Sequence, residues 1–77
     1  MEIGKKLYAI LRIARNGVVV KPGIVDKTDN NMFRVDFGDR LQLYFCDEMM
    51  GNIIFEDEKE AEYAADRYNH PLPEGLA

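Results

Sequence analysis

Seventy-seven residues, 47% of them hydrophobic and 31% charged, with no repeat and no low-complexity run, suit one globular domain and exclude a disordered chain. A chain this short buries only about 60% of the surface it exposes unfolded, so a partner or self-pairing would add to a marginal stability. Cys46 is the single cysteine, which excludes an intramolecular disulfide framework and reads as a small strand hydrophobe in a reducing compartment.

No signal peptide or membrane span is legible, so the expectation is a cytoplasmic protein with no membrane partner. The net charge of −4 hides a dipole along the chain. Residues 1–21 carry Lys5, Lys6, Arg12, Arg15 and Lys21 against Glu2, whereas residues 47–66 carry Asp47, Glu48, Glu56, Asp57, Glu58, Glu60, Glu62 and Asp66 against Lys59. Acidic side chains repel phosphate backbones, so the second half suits a basic protein surface better than nucleic acid.

In chain order, a first strand is expected over about Lys6 to Ala14. Asn16-Gly17 follows as a hairpin turn, because a type I′ turn needs positive φ at both central positions. A two-residue turn there pairs Ile13 with Val20, Ala9 with Ile24 and Ala14 with Val19, leaving apolar residues on both faces. Strand two begins at Val18 and is interrupted at Pro22-Gly23, an edge, a bulge or a bend.

After the polar stretch Asp26 to Asn31, Phe33, Val35 and Phe37 alternate with Met32, Arg34 and Asp36, and Leu41, Leu43 and Phe45 alternate with Gln42, Tyr44 and Cys46. An odd loop, Gly38 to Arg40, sets Val35 opposite Leu43 and Phe33 opposite Phe45 on one core face. Cys46 to Gly51 is a turn, and Asn52 to Phe55 a fifth strand. Asp57 caps the helix that follows, with Glu60 placed to reach back as in a capping box, and the helix runs from about Glu58 to Tyr68. Its stripe Ala61, Ala64, Ala65 and Tyr68 is expected in the core. Tyr63 projects to the other side between Lys59 and Arg67, either as a stabilising cation and aromatic cluster or as an anchor for a partner. Residues 69–77 end as an irregular tail, with Leu72 tucked onto the body.

Catalysis finds no support in these residues. The one histidine, His70, lies in the proline-bounded tail, and no nucleophile has a paired base. One Cys and one His cannot complete a zinc site. The acids Glu56, Asp57, Glu58, Glu60 and Glu62 spread around a helix axis and lack the EF-hand order. No enzyme, cofactor or metal is therefore expected. Tyr8, Arg12, Arg34, Arg40 and Tyr44 could form a nucleic-acid face on the strands, although Arg34 and Arg40 are interleaved with Asp36 and Asp39 as local ion pairs would be.

Two segments, Gly4-Lys5-Lys6-Leu7-Tyr8-Ala9-Ile10 and Gly51 to Ala64 with its Ile54-Phe55-Glu56-Asp57-Glu58-Lys59-Glu60-Ala61-Glu62 core, carry a resemblance. The chain resembles a group of small proteins encoded by phages and mobile elements of Gram-positive bacteria, whose closing motif runs Gly-x-x-aliphatic-Phe-x-Thr-x-x-Glu-Ala-Glu-x-Ala. Asp57 stands where those proteins have threonine, which keeps the capping chemistry. The resemblance implies a mainly β domain, a five-stranded SH3-like barrel with one C-terminal helix, in a setting where small proteins bind and block host factors, including anti-CRISPR and other anti-defence inhibitors. The resulting expectation is a non-catalytic protein-binding inhibitor that engages a basic host surface through Glu58, Glu62, Tyr63 and Asp66. The alternatives are a nucleic-acid-binding accessory protein and a self-assembling structural phage component, a homo-oligomer.

Overall fold

The computed structural model describes residues 1–14 and 17–69, and of residues 13 and 14 the backbone alone. Five antiparallel strands, β1 (Lys6–Ala14), β2 (Gly17–Asp29), β3 (Met32–Asp36), β4 (Gln42–Cys46) and β5 (Ile54–Phe55), form one sheet in the order β4-β3-β2-β1-β5. A short 3-10 turn, Asp47–Met49, separates β4 from β5, and helix α1 (Glu58–Asn69) follows β5. Among the described residues β4 and β5 do not pair, so the sheet is open and the expected closed barrel is not formed by strand pairing.

Hairpin β3–β4 has the expected register. Val35 faces Leu43 and Phe33 faces Phe45, and the loop Gly38 to Arg40 closes on Phe37 and Leu41, whose backbones bond at 2.8 Å. All three loop residues take positive φ, at 85°, 50° and 65°, a conformation glycine alone adopts without strain.

Hairpin β1–β2 departs from expectation. Val20 pairs with Ile10 rather than Ile13, Ile24 with Lys6 rather than Ala9, and Val19 with Leu11 rather than Ala14. The register slips between Arg12 and Ala14, and Gly17 pairs with Ala14 as the first residue of β2, so it is not a turn residue. Asn16, the other half of the expected turn, lies outside the described residues. The pairing slips by an odd number, which turns every residue of β2 to the opposite face relative to β1.

Pro22-Gly23 does not interrupt β2. Gly23 is buried, and a Cβ there would meet Val35 Cγ1 at 2.5 Å and Phe37 Cδ1 at 2.8 Å, which is why this position is glycine. The irregularity in β2 falls instead between Val25 and Lys27, where the register against β3 shifts by one at Asp26. Such a bulge bends the strand. Its first half thereby pairs with β1 and its second half with β3.

The sheet is apolar on both sides. On one face Leu7, Ala9, Val25, Phe33, Val35, Phe37, Phe45 and Ile54 are buried together, with Leu11, Leu41, Leu43, Met49 and Met50 packed against them. Phe45 stacks on Phe33 and meets Phe37 edge-on, with ring centroids 6.0 and 6.1 Å apart. On the other face Ile10 and Phe55 are buried beneath Ala61 and Ala65 of α1, and Tyr8, Val18, Val20 and Ala64 surround them. Successive strand residues point oppositely, so the neighbours Ala9 and Ile10, like Ile54 and Phe55, feed different cores. Strand five is shorter than expected, because Asn52 and Ile53 belong to the preceding turn.

Candidate functional site, the outer face of the helix

The orientation of α1 is fixed at three places. At its start the Asp57 carboxylate accepts from the Glu60 backbone N–H at 3.3 Å, the expected cap. The reciprocal arm of the box, from the Asp57 backbone N–H to the Glu60 side chain, is absent among the described residues. In the middle Ala61 and Ala65 have no bulk to hold α1 away from Ile10 and Phe55. At its end the Asn69 amide accepts from Val18 N–H at 2.9 Å and donates to the Val18 carbonyl at 3.0 Å. The helix extends one residue beyond the expected Tyr68.

With the buried stripe set by Ala61 and Ala65, a helical step of about 100° per residue places the other side chains. Glu58, Glu62 and Asp66 run along one flank, and all three are exposed. Tyr63 lies beside them, 67% exposed. An open hollow of about 530 Å³ adjoins it, lined by Gly51, Phe55, Lys59, Tyr63 and Arg67 among others. The four expected partner-binding residues therefore do share one outward surface. Tyr68 departs from expectation: it is 58% exposed instead of closing the core stripe, and lines a neighbouring hollow with Ile10, Arg12, Val18 and Ile53.

Sequence reasoning missed Gly51 and Phe55 as walls of the Tyr63 hollow, and Asn69 as the lock on α1. Gly51, at φ 84°, was legible as a turn glycine. No local signal marks Asn69, whose partner is 51 residues away.

The alternative face does not come together. Tyr8 packs against the core beneath α1, with the Lys6 ammonium 5.6 Å from its ring centroid, and Arg12 is exposed farther along β1. Arg34 and Tyr44 stand opposite each other on β3 and β4, across β2 from them, and Arg40 is exposed in the Gly38 to Arg40 loop. Arg34 is paired with Asp26 rather than the expected Asp36, through a two-pronged contact at 2.8 and 3.2 Å. That hydrogen bond is the main cause holding the Arg34 guanidinium above its ordinary pKa, against a smaller desolvation effect. Gln42 extends the network by donating to Asp26 and Asp36 at 3.4 Å each.

Lys5, ahead of β1, pairs with Glu56, between β5 and α1, and this hydrogen bond raises the Lys5 pKa. Among the described residues no group of three or more His, Cys, Asp or Glu is arranged to hold a metal, and no helix is long and apolar enough to cross a membrane. His70 and Leu72 lie outside the described residues. In comparisons with known proteins, no family model, no curated protein and no solved structure matches this chain.

Proposed function

We propose that this chain is a non-catalytic protein-binding module that inhibits a host factor in the cytoplasm by laying the outer face of α1 on a basic surface, in the manner of phage-encoded anti-defence proteins such as anti-CRISPR inhibitors. The observation that carries the reading is Tyr63, a large side chain two-thirds exposed on a helix locked at both ends, beside an open hollow and the Glu58, Glu62 and Asp66 flank. A tyrosine desolvated on binding contributes as an anchor, while exposed carboxylates speed and orient association. We read the five strands as an SH3-like barrel. The strand order β4-β3-β2-β1-β5, the bulged β2 and the 3-10 turn leading into β5 support that reading.

The test is affinity capture from host lysate with the wild-type chain and Tyr63→Ala side by side, together with titration of DNA and RNA at two salt concentrations. A basic protein held by the wild type and lost with Tyr63→Ala, at unchanged melting temperature, supports the reading. Nucleic-acid binding with a steep salt dependence, kept in Tyr63→Ala and lost in Arg34→Ala, overturns it.

A further inference from the structure

Each edge of the sheet is blunted except one. β5 is only two residues long. The half of β2 that β3 does not cover has its Val18 backbone taken by Asn69, and Pro22, two ladder steps on, has no N–H to offer. Among the described residues β4 has none of these protections. It is the outermost strand, it pairs with β3 without a bulge, and its sequence Gln42-Leu43-Tyr44-Phe45-Cys46 contains neither a charge nor a proline. Edges that stay monomeric carry at least one such device.

The direction of the free backbone groups follows from the ladder. Phe37 N–H bonds the Leu41 carbonyl at 2.8 Å and Asp47 N–H bonds the Asn31 carbonyl at 3.0 Å, so the odd-numbered residues of β4 turn toward β3. By alternation Gln42, Tyr44 and Cys46 point their N–H and C=O groups outward. A second copy of the same strand, antiparallel about a two-fold axis at Tyr44, meets all of them. Tyr44 then faces Tyr44 of the second copy, Gln42 faces Cys46, and Leu43, which is half-buried in one copy, faces Phe45 on the core side. Beyond the strand this register brings Arg40 at one end within reach of Asp47 and Glu48 of the second copy at the other, and symmetry repeats the contact. Among the described residues Arg40, Asp47 and Glu48 are exposed and belong to no ion pair within the chain. Any other register separates these charges or turns the core faces apart.

We infer that β4 is a self-association edge, through which two copies of this chain join their sheets antiparallel at Tyr44 with Arg40 set against Asp47 and Glu48 at both ends. The interface is isologous and closes at two copies. It leaves the outer face of α1 uncovered, so it stands or falls independently of the proposed inhibition.

Two measurements on the full chain test it. Sedimentation velocity over a concentration series is expected to show a reversible dimer, lost with Arg40→Glu and regained when Glu48→Arg is added, with the monomeric variant still melting cooperatively and no longer depending on concentration. Under mild oxidation Gln42→Cys is expected to yield a covalent dimer. The introduced thiol lies opposite Cys46 of the second copy at about 5.5 Å between Cα atoms, inside disulfide range, whereas within one copy the two are about 13 Å apart. Adding Cys46→Ser abolishes the cross-link, and the wild type does not form it. A chain that stays monomeric with no cross-link from Gln42→Cys overturns the inference, and so does a dimer that ignores Arg40→Glu.

Discussion

Asn69 holds Val18 as a neighbouring strand would, one acceptor and one donor on the same amide. Gly17 makes room for it: a Cβ at Gly17 would collide with the Asn69 side chain, and the φ of 110° is itself hostile to any side chain. Asn69→Ala is expected to cost about 1 kcal/mol in a thermal melt, since both lost hydrogen bonds are exposed and water replaces part of them. Gly17→Ala is expected to cost more, from about 1 to 3 kcal/mol of backbone strain plus the collision. The collision vanishes when Asn69 is already alanine, so the double variant should cost less than the sum of the singles, and additive costs would show that the two residues do not share one contact. At the other end of α1, Asp57→Ala is expected to cost about 1 kcal/mol and Asp57→Thr almost nothing, because either side chain oxygen can cap the Glu60 N–H. The Lys5 to Glu56 pair has a definite sign. Its raised pKa means that its contribution is complete below the ordinary 10.5 and fades as pH climbs through the raised value, so alkaline melts of Glu56→Gln should fall less than those of the wild type. Both side chains are about half exposed, which keeps the effect small.

At the scale of elements, the β3–β4 hairpin was legible because each strand buries a single face. Alternation then identifies Phe33, Val35 and Phe45 as core and forces an odd loop. β1 offers no such pattern. Leu7 and Ala9 fill one core and Ile10 the other, so the strand reads as a nearly continuous apolar run that sets no register. Gly17 pairing with Ala14 moves the register by two positions and the slip between Arg12 and Ala14 by one more, so every pairing counted from an Asn16-Gly17 turn is displaced. The same ambiguity hid Leu7, Ala9, Ile10 and Val25 from the expected core, which rested on the later strands. Phe55, the last residue of the expected fifth strand, lies beneath α1 on the face away from Phe33. The helix surface was legible in full except for Tyr68, since a periodicity of 3.6 residues ranks angles but does not say how wide the sheet beneath extends. Phe45 touches both Phe33 and Phe37, so Phe45→Ala is expected to cost about 3 to 5 kcal/mol and to unfold a domain this small. A cooperative melt at the wild-type temperature would contradict the assigned packing.

Over the whole molecule, the two cores share only the sheet between them. Tyr63→Ala should leave both intact, so that loss of partner binding at an unchanged melting temperature separates recognition from folding. Removing α1 should strip Ile10, Val18, Val20 and Phe55 of cover while the other core keeps its contacts. The lock between Asn69 and Val18 also has a meaning in time. A chain emerging from the ribosome delivers β1 and β2 first, yet β1 waits for Ile54 and Phe55, and Val18 waits for Asn69. Until Asn69 is made, the early hairpin therefore carries a bare apolar flank and an unsatisfied edge, the combination that draws nascent chains together. A chain stopped at Tyr68 never gains its clasp. Such a product should be captured by chaperones or lost to aggregates more than one that includes Asn69, by a margin in keeping with the roughly 1 kcal/mol that two exposed hydrogen bonds contribute, so that one asparagine side chain sets how long the hairpin stays open to unwanted contacts.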